Sequence, residues 1–211
     1  MSHDLRTPLR AMAGFSQILD EDYANQLDDE GRDHLHRIRA AAVRLGSLID
    51  GLLTFSRLAR TELNVQEVDV SAAARRVVAD LVALGAYPET QVVVQPDLVD
   101  RVDPVLFDVL LQNLFGNALK FSANVEHPHI EFGAEESEAG REYFMRDNGV
   151  GFDQEYAHRL FRPFERLHRD AEYPGTGIGL ATVQRIVRCH GGEIAVEGAV
   201  GHGATVRFTL G

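Results

Sequence analysis

The chain has 211 residues, enough for one large domain or two modest ones with a buried core. Its 45% hydrophobic and 25% charged content is that of an ordinary soluble globular protein, and no apolar run approaches the ~20 residues of a membrane span. A net charge of −11 argues against non-specific attachment to nucleic acid or to an anionic membrane, both of which need clustered Lys and Arg, so an anionic ligand must be held locally.

The N-terminus does not read as a signal peptide. From Leu5 to Tyr23 and from Glu30 to Arg60, apolar residues recur at helical spacing, joined by the polar, acidic stretch Tyr23 to Gly31. Leu35, Ile38, Ala42, Leu45, Ile49 and Leu52 step by three and four, which is a narrow a/d seam. A helical hairpin is therefore expected over residues 1–63. Its stripe needs more partners than two helices supply: a second copy, giving a dimeric four-helix bundle, or the remainder of the chain. Pro8 falls just over a turn into the first helix, where it removes a donor and crowds the carbonyl of Asp4. That costs about 3 kcal/mol in a regular helix and predicts a local bend. His3 and Thr7 share a face, with Asp4 beside the histidine. A surface histidine is ordinarily solvated and no second ligand stands at metal spacing, so the residues alone leave His3 a candidate and no more.

Residues 61–67 read as a polar linker, and the domain boundary is placed near Leu63. Residues 1–63 carry 10 acids and 8 bases, residues 64–211 carry 22 and 13, and that asymmetry also suggests two units. Val65 to Val70 alternates like an edge strand, and Ser71 can cap a helix running to about Leu84. Gln91 to Gln95 and Leu98 to Val102 are expected as short strands separated by Pro96. Asp103 and Pro104 then supply an N-cap and first residue for a helix through VLFDVLLQNLFGNALKFS. Asn113, Asn117 and Lys120 lie along one side of it, and Lys120 is the only lysine in the chain. These asparagines suit a solvated face, or they suit Mg²⁺, since amide oxygens can join phosphate and water around that ion. A lone ammonium suits a phosphate oxygen as a point charge.

Strands His129 to Gly133 and Glu142 to Arg146 lead into RDNGVGFD, Arg146 to Asp153. Asp147 closes the second strand, where its carboxylate can accept from an exocyclic amine. In LFRPFERLH, Phe161 and Phe164 are expected in the core while Arg166 reaches toward phosphate, and the short polar segment His168 to Pro174 has the character of a mobile lid. GTGIGL, Gly175 to Leu180, opens a helix expected over Thr176 to His190 and ended by Gly191 and Gly192. Strands Glu193 to Glu197 and Thr205 to Leu210 complete the sheet, and the single cysteine, Cys189, fits a reducing cytoplasm. Neither glycine motif is a P-loop or a Rossmann turn, and each alone reads equally as a plain turn. Together they suggest a nucleotide site, because glycine permits close approach and a helix N-terminus presents unpaired N–H groups to phosphate.

The order SHDLRTPL, NLFGN, DNGVG, FRPFERLH, GTGIGL resembles the catalytic core of bacterial sensor histidine kinases, matching their H, N, G1, F and G2 boxes along essentially the whole chain. The wording YFMRDNGVGFD and FRPFERLHRDAEYPGTGIGLATVQRI is most similar to kinases attached to phytochrome or PAS sensors. The resemblance implies an α+β protein: a dimerising, histidine-bearing hairpin over residues 1–63, then an α/β sandwich over 64–211 of the type shared with gyrase and mismatch-repair ATPases. It further implies a homodimer that takes ATP and Mg²⁺, phosphorylates itself on His3 and passes the phosphoryl group to a response-regulator receiver. Asp4 would hold His3 Nδ1–H, and Thr7 would position a hydrolytic water. Asn117 with Asn113 would hold Mg²⁺ beside Lys120, and Asp147 would read the adenine amine with Gly149 and Gly151 clearing room for the base. Arg166 would meet the γ-phosphate, and Gly175, Thr176, Gly177 and Gly179 would cradle the phosphates. Because the family's first helix continues upstream into a sensor, a sensor-stripped core is expected. Two other readings stay open: a superfamily ATPase or serine kinase without phosphohistidine, and a non-catalytic dimerisation scaffold.

Overall fold

The computed structural model describes residues 2–23, 26–57, 63–83, 90–137, 140–167, 173 and 175–211, with residues 2–6, 47, 50, 53–57 and 137 described at the backbone only. The chain divides into two units, residues 1–57 and 58–211. The first is a hairpin of two helices, α1 (Ser2–Asp22) and α2 (Asp29–Arg57). Pro8 lies inside α1, which continues through it. Asp28 caps α2, its Oδ1 accepting from Gly31 N–H at 2.8 Å, and acidic Asp29 and Glu30 complement the helix dipole there. Ala42, Leu9 and Ser16 are buried between the helices. Of the a/d residues, however, Ile38, Leu45 and Leu52 remain exposed, because the two helices of one hairpin do not cover the whole seam.

The second unit layers helices against a mixed sheet. Strand β1 (Gln66–Asp69) pairs antiparallel with β3 (Val99–Val102), with Gln66 opposite Val102. The main sheet has five strands in the order β2 (Gln91–Val94), β4 (His129–Ser137), β5 (Gly140–Asp147), β7 (Ala204–Thr209), β6 (Ile194–Gly198). Only β2 and β4 run parallel. The neighbours in sequence β2 and β3 thus belong to different sheets, and Asp97, at φ 59°, turns the chain from one to the other. Helix α3 (Val70–Ala83) is capped by Asp69, whose Oδ1 accepts from Ala72 N–H at 2.8 Å. Ser71, expected in that role, is instead buried: its Oγ donates to Gln95 O at 2.7 Å and accepts from Leu98 N–H at 2.9 Å.

Helix α4 (Pro104–Ser122) forms the centre of the core. Asp103 caps it as expected, its Oδ1 accepting from Val105 and Leu106 N–H at 3.0 Å each. Phe107, Leu110, Leu111, Leu114 and Phe115 are buried with Phe132, Tyr143 and Phe208 of the sheet and with Ile186. Phe115 and Phe132 approach to 5.7 Å between centroids, and Tyr143 stacks between Phe132 and Phe208. Burial of Phe115 alone stabilises the unit by about 1.5–3 kcal/mol relative to exposure.

Helix α5 covers Gly179–Cys189, not Thr176 to His190. Gly177 sits at φ 72°, outside helical space, so the helix cannot begin before it. The same residue corrects a second expectation: Gly177 O accepts from Phe164 N–H at 2.9 Å, and Phe164, itself at φ 68°, is 54% exposed rather than in the core. Phe161 is partly buried against the core. Of the segment His168 to Pro174 only Tyr173 is among the described residues, and it is buried against Phe121 at 5.2 Å. Among the described residues no helix is long and apolar enough to cross a membrane.

Candidate functional site

Two adjoining cavities in the second unit gather most of the sequence-selected residues. The first is apolar, lined among others by Leu114, Ala118, Met145, Phe152 and Val206, with the carboxylate of Asp147 set into it. Burial pushes the Asp147 carboxyl up to about 6, against the opposing pull of hydrogen bonds from Gly149 and Ala204 N–H. Its Oδ1 accepts from Gly149 N–H at 2.9 Å. Gly151 adopts φ 60°, and a Cβ there would lie 1.9 Å from Ala199 O, so the loop closes over the cavity only with glycine. Asn148 anchors the same loop to the start of β4: its Oδ1 accepts from His129 N–H at 2.8 Å and its Nδ2 donates to His127 O at 2.8 Å.

The second cavity is polar, and Asn113, Asn117, Lys120, Arg166, Gly175, Thr176, Gly177 and Gly179 line it. Helix α4 places Asn113, Asn117 and Lys120 on one side by their spacing. Asn113 Nδ2 donates to Val109 O at 2.7 Å, which turns its Oδ1 toward Gly179, where a Cβ would come within 3.0 Å. Lys120 Nζ donates to Asn117 Oδ1 at 3.3 Å and lies 4.2 Å from the Phe121 ring centroid. Burial, and then the nearby Arg166 guanidinium, depress the Lys120 ammonium to about 8. Arg166 Nη1 donates to Gly175 O at 2.9 Å and its Nη2 to Tyr173 O.

Asn117, Phe121, Leu160 and Leu180 line both cavities, so the apolar and polar chambers are continuous. Leu160, Phe121 and Leu180 were not singled out from the sequence. Their signal is an apolar residue directly beside each polar motif, Phe121 after Lys120 and Leu180 after Gly179. A desolvated carboxylate at one end and two cations at the other, with amides and glycine N–H groups between, can hold a flat base with an amine and a polyanionic tail. Among the described residues no cluster of three or more His, Cys, Asp and Glu could hold a metal alone. The two amide oxygens fit Mg²⁺ only as an ion sharing phosphate and water ligands, which is its usual mode. Thr7 is exposed on α1; the side chains of His3 and Asp4 lie outside the described residues.

Residues 102–211 match the histidine kinase-, DNA gyrase B-, and HSP90-like ATPase family, and residues 1–61 match the His Kinase A (phospho-acceptor) domain. The chain belongs to the sensor histidine kinases. This kinase core is 36% identical over 214 residues to cyanobacterial phytochrome B of Nostoc sp., covering 99% of the chain and 28% of the relative. It is 34% identical over 209 residues to cyanobacterial phytochrome A of the same organism, covering 99% and 27%. Among solved structures, full-length ShkA in complex with AMPPNP shares the fold at a TM-score of 0.70 and 28% identity, covering 98% of this chain and 43% of that one. The kinase core thus spans little more than a quarter of the length of the phytochromes it matches. The sequence-derived class, a helical N-terminal region followed by a mixed α/β sandwich, is the architecture observed.

Proposed function

We propose that this chain is an ATP-dependent protein-histidine kinase that phosphorylates His3 and passes the phosphoryl group to an aspartate on a response-regulator receiver. The observation that carries the reading is the continuity of the apolar chamber holding Asp147 with the polar chamber holding Asn117, Lys120 and Arg166. In it, the ionised Asp147 accepts from the adenine amine, and the loop Gly149 to Gly151 lets the base approach. The walls of Leu114, Met145 and Phe152 exclude water, which strengthens that bond. Lys120 supplies a point charge to the phosphates, and Gly175, Thr176, Gly177 and Gly179 offer backbone N–H groups at the start of α5. Arg166 exchanges the carbonyls of Tyr173 and Gly175 for the γ-phosphate oxygens, a stronger, charge-assisted pairing. Asn113 and Asn117 would hold Mg²⁺, which would withdraw charge from the phosphate oxygens.

The lone pair of His3 Nε2 then attacks the γ-phosphorus, the bond to the β-phosphate oxygen breaks, and ADP leaves with that electron pair. Asp4 holds the proton on Nδ1 throughout, and Thr7, one turn on, positions the water that hydrolyses a phosphorylated partner. Positioning and electrostatics supply nearly all of the catalysis, as in other phosphoryl transfers. Exposed Met12, Phe15, Ile18, Leu45 and Leu52 support a homodimer assembled through the hairpin into a four-helix bundle. The proposed ATP substrate and receiver partner support a cytoplasmic location. The test is incubation with γ-labelled ATP and Mg²⁺. Protein-bound label that is lost in acid and kept in base supports phosphohistidine, while acid-stable label, or hydrolysis of ATP with no label, refutes it.

A further inference from the structure

His190 is 5% exposed, and both of its ring nitrogens are engaged. Nδ1 lies 2.9 Å from Ile186 O, and Asp103 N–H reaches Nε2 at 3.0 Å. A carbonyl oxygen can only accept and an amide N–H can only donate, so Nδ1 must carry the proton and Nε2 the lone pair. A second proton would set two donors face to face. The charged group beside the ring is the Asp103 carboxylate: burial pushes it up, but N–H bonds from Leu106, Asn64 and Val105 outweigh that and hold it below the usual range.

These bonds join the end of α5 to the start of α4. At the other end of α5, Gly179 faces Asn113 and Asn117, which lie at the middle and in the last third of α4. Eleven residues of α5 separate His190 from Gly179, about 16 Å along the axis. The two helices therefore run antiparallel, with the polar chamber at the start of α5 and the histidine just past its end. Asp103 itself is fixed, since its Oδ2 accepts from Asn64 N–H at 2.9 Å and its Oδ1 caps α4, so the imidazole ties α5 to an immobile point. The carbonyl of His190 in turn accepts from Gly211 N–H at 2.9 Å.

We propose that His190 is a positioning residue for the nucleotide site, a neutral single-tautomer staple that sets the spacing at which Gly179 faces Asn113 and Asn117. The inference rests on the nucleotide reading given above. The experiment compares His190→Leu with His190→Gln, whose side-chain oxygen extends as far as Nε2 and can accept from Asp103 N–H. Two quantities are read at a temperature where both variants are folded: nucleotide affinity by calorimetry, and the amide resonances of Gly179 and Asn117 without nucleotide. Loss of one buried acceptor should weaken nucleotide binding about tenfold in His190→Leu and move both resonances, while His190→Gln restores both. A folded His190→Leu with unchanged affinity and resonances overturns the proposal, as does equal loss in both variants. If His190→Leu does not fold, His190→Asn, which keeps a donor for Ile186 O but is too short for Asp103, takes its place under the same criteria. A wild-type chain that binds no nucleotide refutes the nucleotide reading, and the resonances alone then decide the staple.

Discussion

Phe15 and Phe115 mark the difference between the two units. Phe15, on α1, is 66% exposed, whereas Phe115, on α4, is fully buried against Phe132. The sandwich closes its core with its own strands and helices; the hairpin leaves Met12, Ile18, Leu45 and Leu52 exposed as well. Sandwich stability is therefore internal to the second unit, while hairpin stability depends on what covers the stripe, and on concentration where that is the second copy proposed above. On the proposed reading, a fixed nucleotide chamber and a histidine on a separate hairpin suit a reaction in which one must be presented to the other.

The largest expected effect separates the units by chemistry. His3→Gln should abolish self-labelling while nucleotide affinity, measured by calorimetry, stays within about twofold, because residues 102–211 alone contain the chambers. Equal loss of both would show that the units do not divide the work. Next is Phe115→Ala, which opens a cavity in the sandwich and should cost about 3–5 kcal/mol in urea unfolding, with nucleotide binding lost in the same transition. Phe15→Asp should do the reverse. A charge in the middle of the uncovered stripe should weaken self-association about a hundredfold by sedimentation while the sandwich unfolds at the wild-type midpoint. A monomeric wild type, or a sandwich that melts earlier in this variant, would contradict the contrast.

Much of this was legible from local pattern. The stepping of Leu35, Ile38 and Ala42 and the Asp103-Pro104 start are local signals, and the corresponding helices form. What could not be read depends on contacts between distant residues. The start of α5 moved to Gly179, and Phe164 out of the core, through one hydrogen bond between Phe164 and Gly177. Ser71 lost the cap to Asp69 because Gln95 and Leu98 claim its hydroxyl. The division of β2 and β3 between sheets is equally long-range, since it follows from their pairing with β4 and β1. At the site, motif residues were visible as types and spacings, whereas the apolar walls Leu160 and Phe121 and the staple His190 carry no motif. A buried histidine is recognised only when both of its nitrogens have found partners.

The smallest effect tests whether the chamber is built at the expense of stability. Asp147 has its carboxyl raised to about 6 by burial, and Lys120 its ammonium depressed to about 8. A raised carboxyl binds its proton more tightly folded than unfolded, so ionised Asp147 subtracts stability, with the full cost present above about pH 6 and gone below the ordinary carboxylate range. For Lys120 the sign is reversed: the cost is full below about pH 8 and vanishes as pH rises toward the ordinary lysine range. Between these values both groups are charged and desolvated, which is the state an amine-bearing polyanion binds best. Nucleotide affinity should therefore plateau between about pH 6 and about pH 8 and fall on both sides. Asp147→Asn, which removes the buried charge and keeps an acceptor for Gly149 N–H, should stabilise the nucleotide-free sandwich at pH 7 by on the order of 2 kcal/mol while weakening nucleotide binding. By pH 5 the wild-type carboxyl is largely protonated and the stability gap should shrink. A variant that is less stable at pH 7, or a gap that widens toward pH 5, would mean that Asp147 is a structural anchor of the loop rather than a charge held ready for a ligand.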